Sequence, residues 1–496
     1  MLDKRQIEKT AELRLSLQKA MARLLEFGDR SRFVVLFIGL MTLSTTLACV
    51  ICFNVAVIRM TNIETSPLYR PNSTTDDEVD YANTSLPMAD RRFRFTTTQR
   101  SLLFSSTFFS PVTLFWIVAW SMRRYGTLKT QLVCGISTTI FTAITPFIVA
   151  YLPFWALFLS RFLQGIPLCN LYPVVGSIVN QWAATNERGL FISVLTGYLQ
   201  LSCIIAMPLS GILSELVGWP IAFYVHAAVN AFFFFLWAIF YRNDPNEHPF
   251  ISRRELMKIV DGRLERSNPP PTNVPYLQIF RTKSVIAVYV AVLGNFVTFN
   301  FANTFFPSYL ASLFSIPTLP AGIIPAIVLS GNFAVKFVTG IICDRLTHIS
   351  ELSKVCWCNS IAFCGAAVGL VVYLAIPSSW PVLSIIFLAF PFVILGVNAG
   401  GFPKSAVLIS GQHGPTILAA LQVFLCGSFL LGSFVVPAMT PNRTYEEFTN
   451  VFRLYVVVLI ITNGIFVAWS KASPEPWAQP TNLSPSPTEE KRALSS

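Results

Sequence analysis

The sequence predicts an all-α membrane protein: twelve transmembrane helices in two halves of six. Three observations carry this. Only 12% of the residues are charged and 53% are hydrophobic, where a soluble chain carries about 25% charged residues. Twelve stretches reach the length that a bilayer demands, about 20 mostly apolar residues. A charged stretch without an apolar run, residues 242–283, divides them six and six.

In chain order, residues 1–32 come first. They carry Lys4, Arg5, Lys9, Arg14, Lys19, Arg23, Arg30 and Arg32. Ile7, Leu13, Leu17, Met21 and Leu24 recur among them. That pattern suits either an amphipathic helix on the inner membrane surface or a basic tail. The first apolar run begins near residue 33, too deep and too long for a cleaved signal peptide. It is read as a retained helix.

The N-terminal half covers residues 33–241, with spans near 33–58, 101–121, 128–150, 154–177, 190–213 and 219–241. The linker 242–283 ends in "SNPPPTNVP". The C-terminal half covers 284–471, with spans near 284–311, 321–343, 354–376, 380–402, 415–438 and 451–471. Residues 472–496 are rich in Pro and Ser and read as a disordered tail. Six plus six about a hydrophilic linker suggests duplication. Basic turns at "SMRRYG" (121–126) and "CDRLTH" (343–348) fall at matched places in the two halves.

Charge sets the orientation. The leading segment and the linker collect Lys and Arg, whereas the turns 151–153, 312–320 and 377–379 have none. Both termini and the linker are therefore expected in the cytoplasm. The net charge of +11 reads as topology rather than nucleic-acid binding. The loop after the first span breaks the rule with six basic residues, which six acidic ones accompany. Sequons at Asn72, Asn83 and Asn442 fall on the predicted exterior side. Asn482 falls in the tail and is expected to be silent. Of the ten cysteines, Cys49 and Cys52 form a lone CxxC inside the first apolar run, without a second pair at metal-ligand spacing, and there Cys packs as a small hydrophobe. No soluble-enzyme motif appears, so catalysis is not expected.

Polar residues inside spans are expensive and face the bundle interior. In the fourth span Arg161, Gln164, Gly165, Leu168 and Tyr172 follow i, i+3, i+4, i+7, i+11, one face of an α-helix. Arg161 has no carboxylate near it in sequence and lies roughly 10–12 Å inside the span. It either lines a cavity or snorkels to the interface. Asn54 in the first span, Asn295 and Thr298 in the seventh, and Asn398 in the tenth are further candidates. Each serves either a cavity or a helix–helix hydrogen bond. His226 reads as a packed histidine rather than a proton carrier.

Several stretches resemble the major facilitator superfamily. Within it they resemble the anion–cation symporter group, which includes sialin, the vesicular glutamate transporters and the type I sodium–phosphate carriers. They are "RFLQG…YP" (161–173), "QWAATNERG" (181–189), "MPLSGIL…GWPIAFYV" (207–225), "DPNEHPFISRRE" (244–255) and "GFPKSAVLISGQH" (401–413). The resemblance implies the twelve-helix fold of that superfamily and a cavity lined by helices one, four, seven and ten. It implies secondary active transport of organic or inorganic anions by alternating access. It matches Arg161 to the family's anion-binding arginine and Asn54 to its first-helix asparagine. This chain has Leu168 where vesicular members carry a carboxylate, and Cys52 where they carry an arginine. Thr298 and Ser105 lie near the places of a second arginine and a histidine. Those departures point away from glutamate and toward a monoanion such as phosphate, urate or another organic anion.

The expected partners are a small anionic substrate and the lipid bilayer, with no nucleic acid, and the expected working unit is a monomer. No cofactor is expected beyond a coupled sodium ion or proton. The expected place is the plasma membrane or a vesicle or lysosome membrane. A non-transporting anion sensor on the same scaffold is the alternative.

Overall fold

The computed structural model describes residues 30–69, 80–184, 187–249, 251–264, 275–346, 348–376 and 380–478. The leading amphipathic segment, Asn72, Asn482 and most of the tail lie outside them. Among the described residues, eleven helices are long and apolar enough to cross a membrane. The longest, Thr97–Tyr151, is broken at Gly126, where φ is 80°. Only glycine takes that conformation without strain. The turn is pinned by Asn243, whose Oδ1 accepts from Leu128 N at 2.9 Å. Divided there, the helices number twelve.

We label them α1 (Ser31–Thr61), α2 and α3 (97–125 and 127–151), α4 (Phe154–Trp182), α5 (Leu190–Leu216) and α6 (Trp219–Phe240). After two short linker helices, Arg253–Leu264 and Tyr276–Arg281, come α7 (Lys283–Phe314) and α8 (Thr318–Cys343). The last four are α9 (Glu351–Leu374), α10 (Val382–Ser410), α11 (Thr416–Met439) and α12 (Tyr445–Trp469). Several outrun their apolar cores. α12 begins at Tyr445 rather than near 451, and α10 runs to Ser410 rather than near 402.

The chain packs as two compact units. The first comprises Met1–Ser267, Phe299–Phe333 and Cys426–Val451; the second comprises Asn268–Thr298, Ala334–Leu425 and Phe452–Ser496.

In the first unit α1 is the core helix, packed against α5 and α6. Residues 47–57 are buried all round. No water reaches their polar groups, so the hydroxyls of the preceding turns bond their own helix. Thr42 donates to Gly39 O, Ser44 to Leu40 O and Thr46 to Thr42 O. The α3 helix is sided in the reverse sense of a soluble helix. Val133, Ile136, Ile140, Ile144 and Phe147 form an exposed stripe, and Thr130, Cys134, Thr138, Thr142 and Thr145 face inward. A bilayer requires that inversion.

One face of this unit carries residues 62–69 and 80–96, the first-loop face; the other, the linker face, carries residues 242–249 and 251–264. On the first-loop face Arg91 and Arg92 are buried. Arg91 donates to Leu86 O at 3.0 Å and Thr84 O at 2.6 Å; Arg92 donates to Thr65 O and Ala89 O, both at 2.8 Å. Burial lowers the Arg92 pKa to about 10. Two of the basic residues that break the charge rule are therefore loop staples. On the linker face Glu255, 0% exposed, caps α1 by accepting from Ser31 N at 3.0 Å and Arg32 N at 2.9 Å. The Arg32 guanidinium also grips Glu255 at 3.1 Å and Glu187 at 2.7 Å. That hydrogen bond holds the Glu187 carboxyl below its ordinary range.

In the second unit α9 packs on α10. Lys354 and Lys404 share Glu351 at 2.7 and 2.8 Å.

Candidate functional site

The α4 helix is three segments. Phe154–Gly165 and Leu171–Trp182 are α-helical, and Ile166–Asn170 between them is 3₁₀. Pro167 has no N–H to return to the carbonyl four residues back, which accounts for the change of winding. Over five residues a 3₁₀ stretch turns roughly 100° further than an α-helix would. The face projected from Arg161 through Leu168 to Tyr172 is therefore broken. Arg161 and Gln164 meet; Tyr172 instead packs edge-to-face on Tyr198 at 6.0 Å.

Arg161 does not snorkel. It is 1% exposed and is held from within the first unit. Nη1 donates to Gln164 Oε1 at 2.6 Å and to Val50 O of α1 at 3.3 Å. Its guanidinium lies 4.4 Å from the centre of the Phe53 ring, a cation–π contact. Gln164 is locked in turn: Nε2 donates to Thr142 Oγ1 at 2.7 Å and to Cys49 O at 3.0 Å. Among the described residues no carboxylate pairs with Arg161, and its Nε is buried without an acceptor. A guanidinium has five donors in a planar fork. Here carbonyl dipoles and a ring face carry the charge, and donor capacity is left unspent.

Gly165 lets this arrangement close. A Cβ there would strike the Thr107 carbonyl oxygen of α2, so α4 reaches that packing distance only with glycine next to Gln164.

The remaining candidates divide by unit. Asn54 donates to Asn303 O of α7 at 3.3 Å within the first unit. That carbonyl is available because Pro307, four residues on, has no N–H. In the second unit Asn398 Nδ2 donates to Asn295 Oδ1 at 2.6 Å. Thr298 donates back to Gly294 O of its own helix at 3.0 Å, which commits its proton to the backbone. Leu168, Cys52 and Ser105 are all buried. His226 Nδ1 sits 2.7 Å from Ala222 O, and its Nε2 is buried without a partner. Asn83 is exposed in a turn in which its Oδ1 accepts from Ser85. The Asn442 amide donates to Glu447 at 3.0 Å.

Phe53, Thr142 and the α1 carbonyls were not legible beforehand. Phe53 is one apolar residue in an apolar run, and Thr142 one of several α3 threonines. Only the inward stripe of threonines distinguishes that helix.

A model of the Major Facilitator Superfamily matches residues 78–433. Sialin of Homo sapiens is 24% identical over 346 residues, 69% of this chain and 69% of its own length. Vesicular glutamate transporter 1 of Bos taurus is 26% identical over 341 residues, 65% of this chain. The match spans 59% of that relative's length. Among solved structures, a D-xylose–proton symporter superposes with a TM-score of 0.60 at 13% identity, over 88% of this chain and 98% of that one. A bacterial homolog to the human lysosomal transporter Spinster gives 0.60 at 14% identity, over 89% and 97%. These two likenesses concern the fold.

Proposed function

The chain belongs to the Major Facilitator Superfamily, and from that premise we propose that it is a secondary active transporter of small anions. The observation that carries this is Arg161, a buried guanidinium with an unspent donor and no carboxylate partner among the described residues. Burying such a charge costs roughly 2.5–3.5 kcal/mol on insertion scales. An anionic substrate that reaches Arg161 during the transport cycle supplies the missing counter-charge. Carboxylate and phosphate oxygens fit the guanidinium fork.

The vesicular glutamate transporters among the relatives act on a dicarboxylate by name. Leu168 and Cys52 stand here where charged groups would complete such a site. That favours a monoanion: phosphate, urate or another organic anion. The spans carry Glu only in their end turns, so the driving force is sodium or voltage rather than a proton. Each charge moved is worth about 2.3 kcal/mol per 100 mV. The linker face, with Arg242, Arg253, Arg254 and Lys258, is the cytoplasmic one. The host membrane is the plasma membrane or that of a vesicle or lysosome.

The test is uptake by protein reconstituted in liposomes, across a panel of labelled anions, with pH, sodium and voltage gradients imposed separately. Saturable uphill uptake of a monoanion driven by sodium or voltage is expected. Full uptake on a pH gradient alone would overturn the coupling. Binding without uptake under any gradient would mark a sensor.

A further inference from the structure

A second basic site lies on the first-loop face of the first unit. A cavity of about 240 Å³ opens there between the ends of α1, α2, α7, α11 and α12. Arg100 of α2 and Arg443 of the α11–α12 turn line it, together with Phe104, Phe305 and Tyr309.

Its charge is one-sided. Among the described residues no ion pair reaches either guanidinium, and Arg100 Nε is buried without an acceptor. Of the two acids nearest Arg443 in sequence, Glu446 is exposed and Glu447 is engaged by its own turn. It accepts from Asn442 N at 3.0 Å, Asn442 Nδ2 at 3.0 Å and Thr444 N at 3.2 Å. Arg443 itself is left-handed, with φ at 56°. A residue with a Cβ holds that conformation under strain, and such strain gathers at functional sites. Burial also lowers the Arg443 pKa.

The floor is aromatic. Phe104 meets Phe305 edge-to-face at 5.5 Å. Phe104 also meets Phe53 at 6.1 Å, the ring that lies under Arg161. A relay of rings thus stands between the cavity and Arg161.

We propose that this cavity is an anion-capture site separate from Arg161, in which Arg100 and Arg443 hold a small oxyanion by charge-assisted hydrogen bonds. The ligand class is a phosphate or a small carboxylate; its oxygens take the two forks, and the rings form its apolar floor. Binding here stands on the cavity alone. Delivery onward to Arg161 rests on the anion-transport reading.

The test measures equilibrium binding of radiolabelled inorganic phosphate to purified full-length protein. An Arg161→Ala protein should keep one saturable phosphate site. Adding Arg100→Gln and Arg443→Gln should weaken that site at least tenfold. Adding Arg100→Lys and Arg443→Lys instead, which keeps the charge, should weaken it less. Thermal melts show whether each variant is folded. In liposomes, Arg100→Gln/Arg443→Gln in an otherwise unaltered chain should raise the apparent KM for phosphate about tenfold and leave the maximal rate within twofold. No saturable binding by folded Arg161→Ala protein, or equal binding with and without the two glutamines, would overturn the site. Phosphate binding that depends on both arginines, in a protein with no uptake of any anion, would keep the site and remove the transport reading. Normal anion uptake with no arginine-dependent binding would do the reverse.

Discussion

Replacing Arg161 by lysine separates an anion-binding guanidinium from a merely positive residue. The arginine spends Nη1 on Gln164 Oε1 at 2.6 Å and on Val50 O at 3.3 Å, and its Nε meets no acceptor. If the substrate takes the unspent donors as a fork, lysine keeps one charge-assisted bond to it and forfeits the other. Such a bond contributes about 1.5–3 kcal/mol. At about 1.4 kcal/mol per tenfold, Arg161→Lys should weaken apparent substrate affinity roughly 10- to 100-fold. Arg161→Ala forfeits both bonds, about 3–6 kcal/mol, and should abolish measurable uptake. The alanine protein should still fold, because the lost hydrogen bonds are offset by removal of a buried charge. The assay is the initial rate of anion uptake in liposomes, normalised to reconstituted protein, with a melting curve for each variant. Arg161→Lys with wild-type uptake and unchanged apparent affinity would refute the fork and leave Arg161 a packing residue.

The other predictions concern the support around that site and the loops. Gln164→Leu leaves the Arg161 and Thr142 partners unmet; it should cost about 1–3 kcal/mol of stability, read as a lower thermal midpoint. Gly165→Ala drives a Cβ into the Thr107 carbonyl, whereas a Cβ at Gly176 meets nothing within 4 Å. Only the first substitution should deplete folded protein, by about 1–3 kcal/mol of overpacking, measured as the monodisperse fraction after extraction. His248 on the linker face is buried against Trp182, its Nε2 2.8 Å from Phe240 O, and burial lowers its pKa. As pH falls through about 6.5 the unfolded chain takes up a proton that the folded chain refuses. Stability should therefore fall in that window, and His248→Gln should flatten the dependence, read from melts at pH 5.5–8. Mass mapping should find a glycan on exposed Asn83 and none on Asn482; a glycan on Asn482 would reverse the orientation.

The twelve spans were legible because hydrocarbon filters composition harshly: a run such as residues 33–58 has few other fates. Breaks in winding were less legible. Pro167 hints at the 3₁₀ stretch of α4, but the matching stretch Leu395–Gly400 in α10 contains no proline. Arg161 and Gln164 could be paired in advance because residues three apart on a helix share a face. Projecting that face eleven residues to Tyr172 failed because one change of winding rotates everything beyond it. Thr298 shows the limit of reading polarity alone, since a threonine that bonds its own helix and one that faces a ligand are spelled alike. Arg100 and Arg443 were out of reach for another reason. Nothing in sequence brings together positions so far apart, and each by itself looks like an ordinary helix-end arginine.

The winding of α7 at Phe301–Phe305 bears on how this chain can change over evolutionary time. A π-turn holds one residue more than an α-turn of the same height. Losing any one of residues 301–305 can therefore restore plain α-helix without pulling the helix ends apart. Because the extra residue is absorbed within the turn, the loss would leave Ser308, Tyr309 and Ser312 facing much as they do now. These residues line the cavity that Arg100 and Arg443 share. A one-residue deletion here would therefore spare that wall, whereas the same deletion in plain α-helix would turn it by about 100° as a set. A relative one residue shorter across this segment is thus expected to keep the cavity wall.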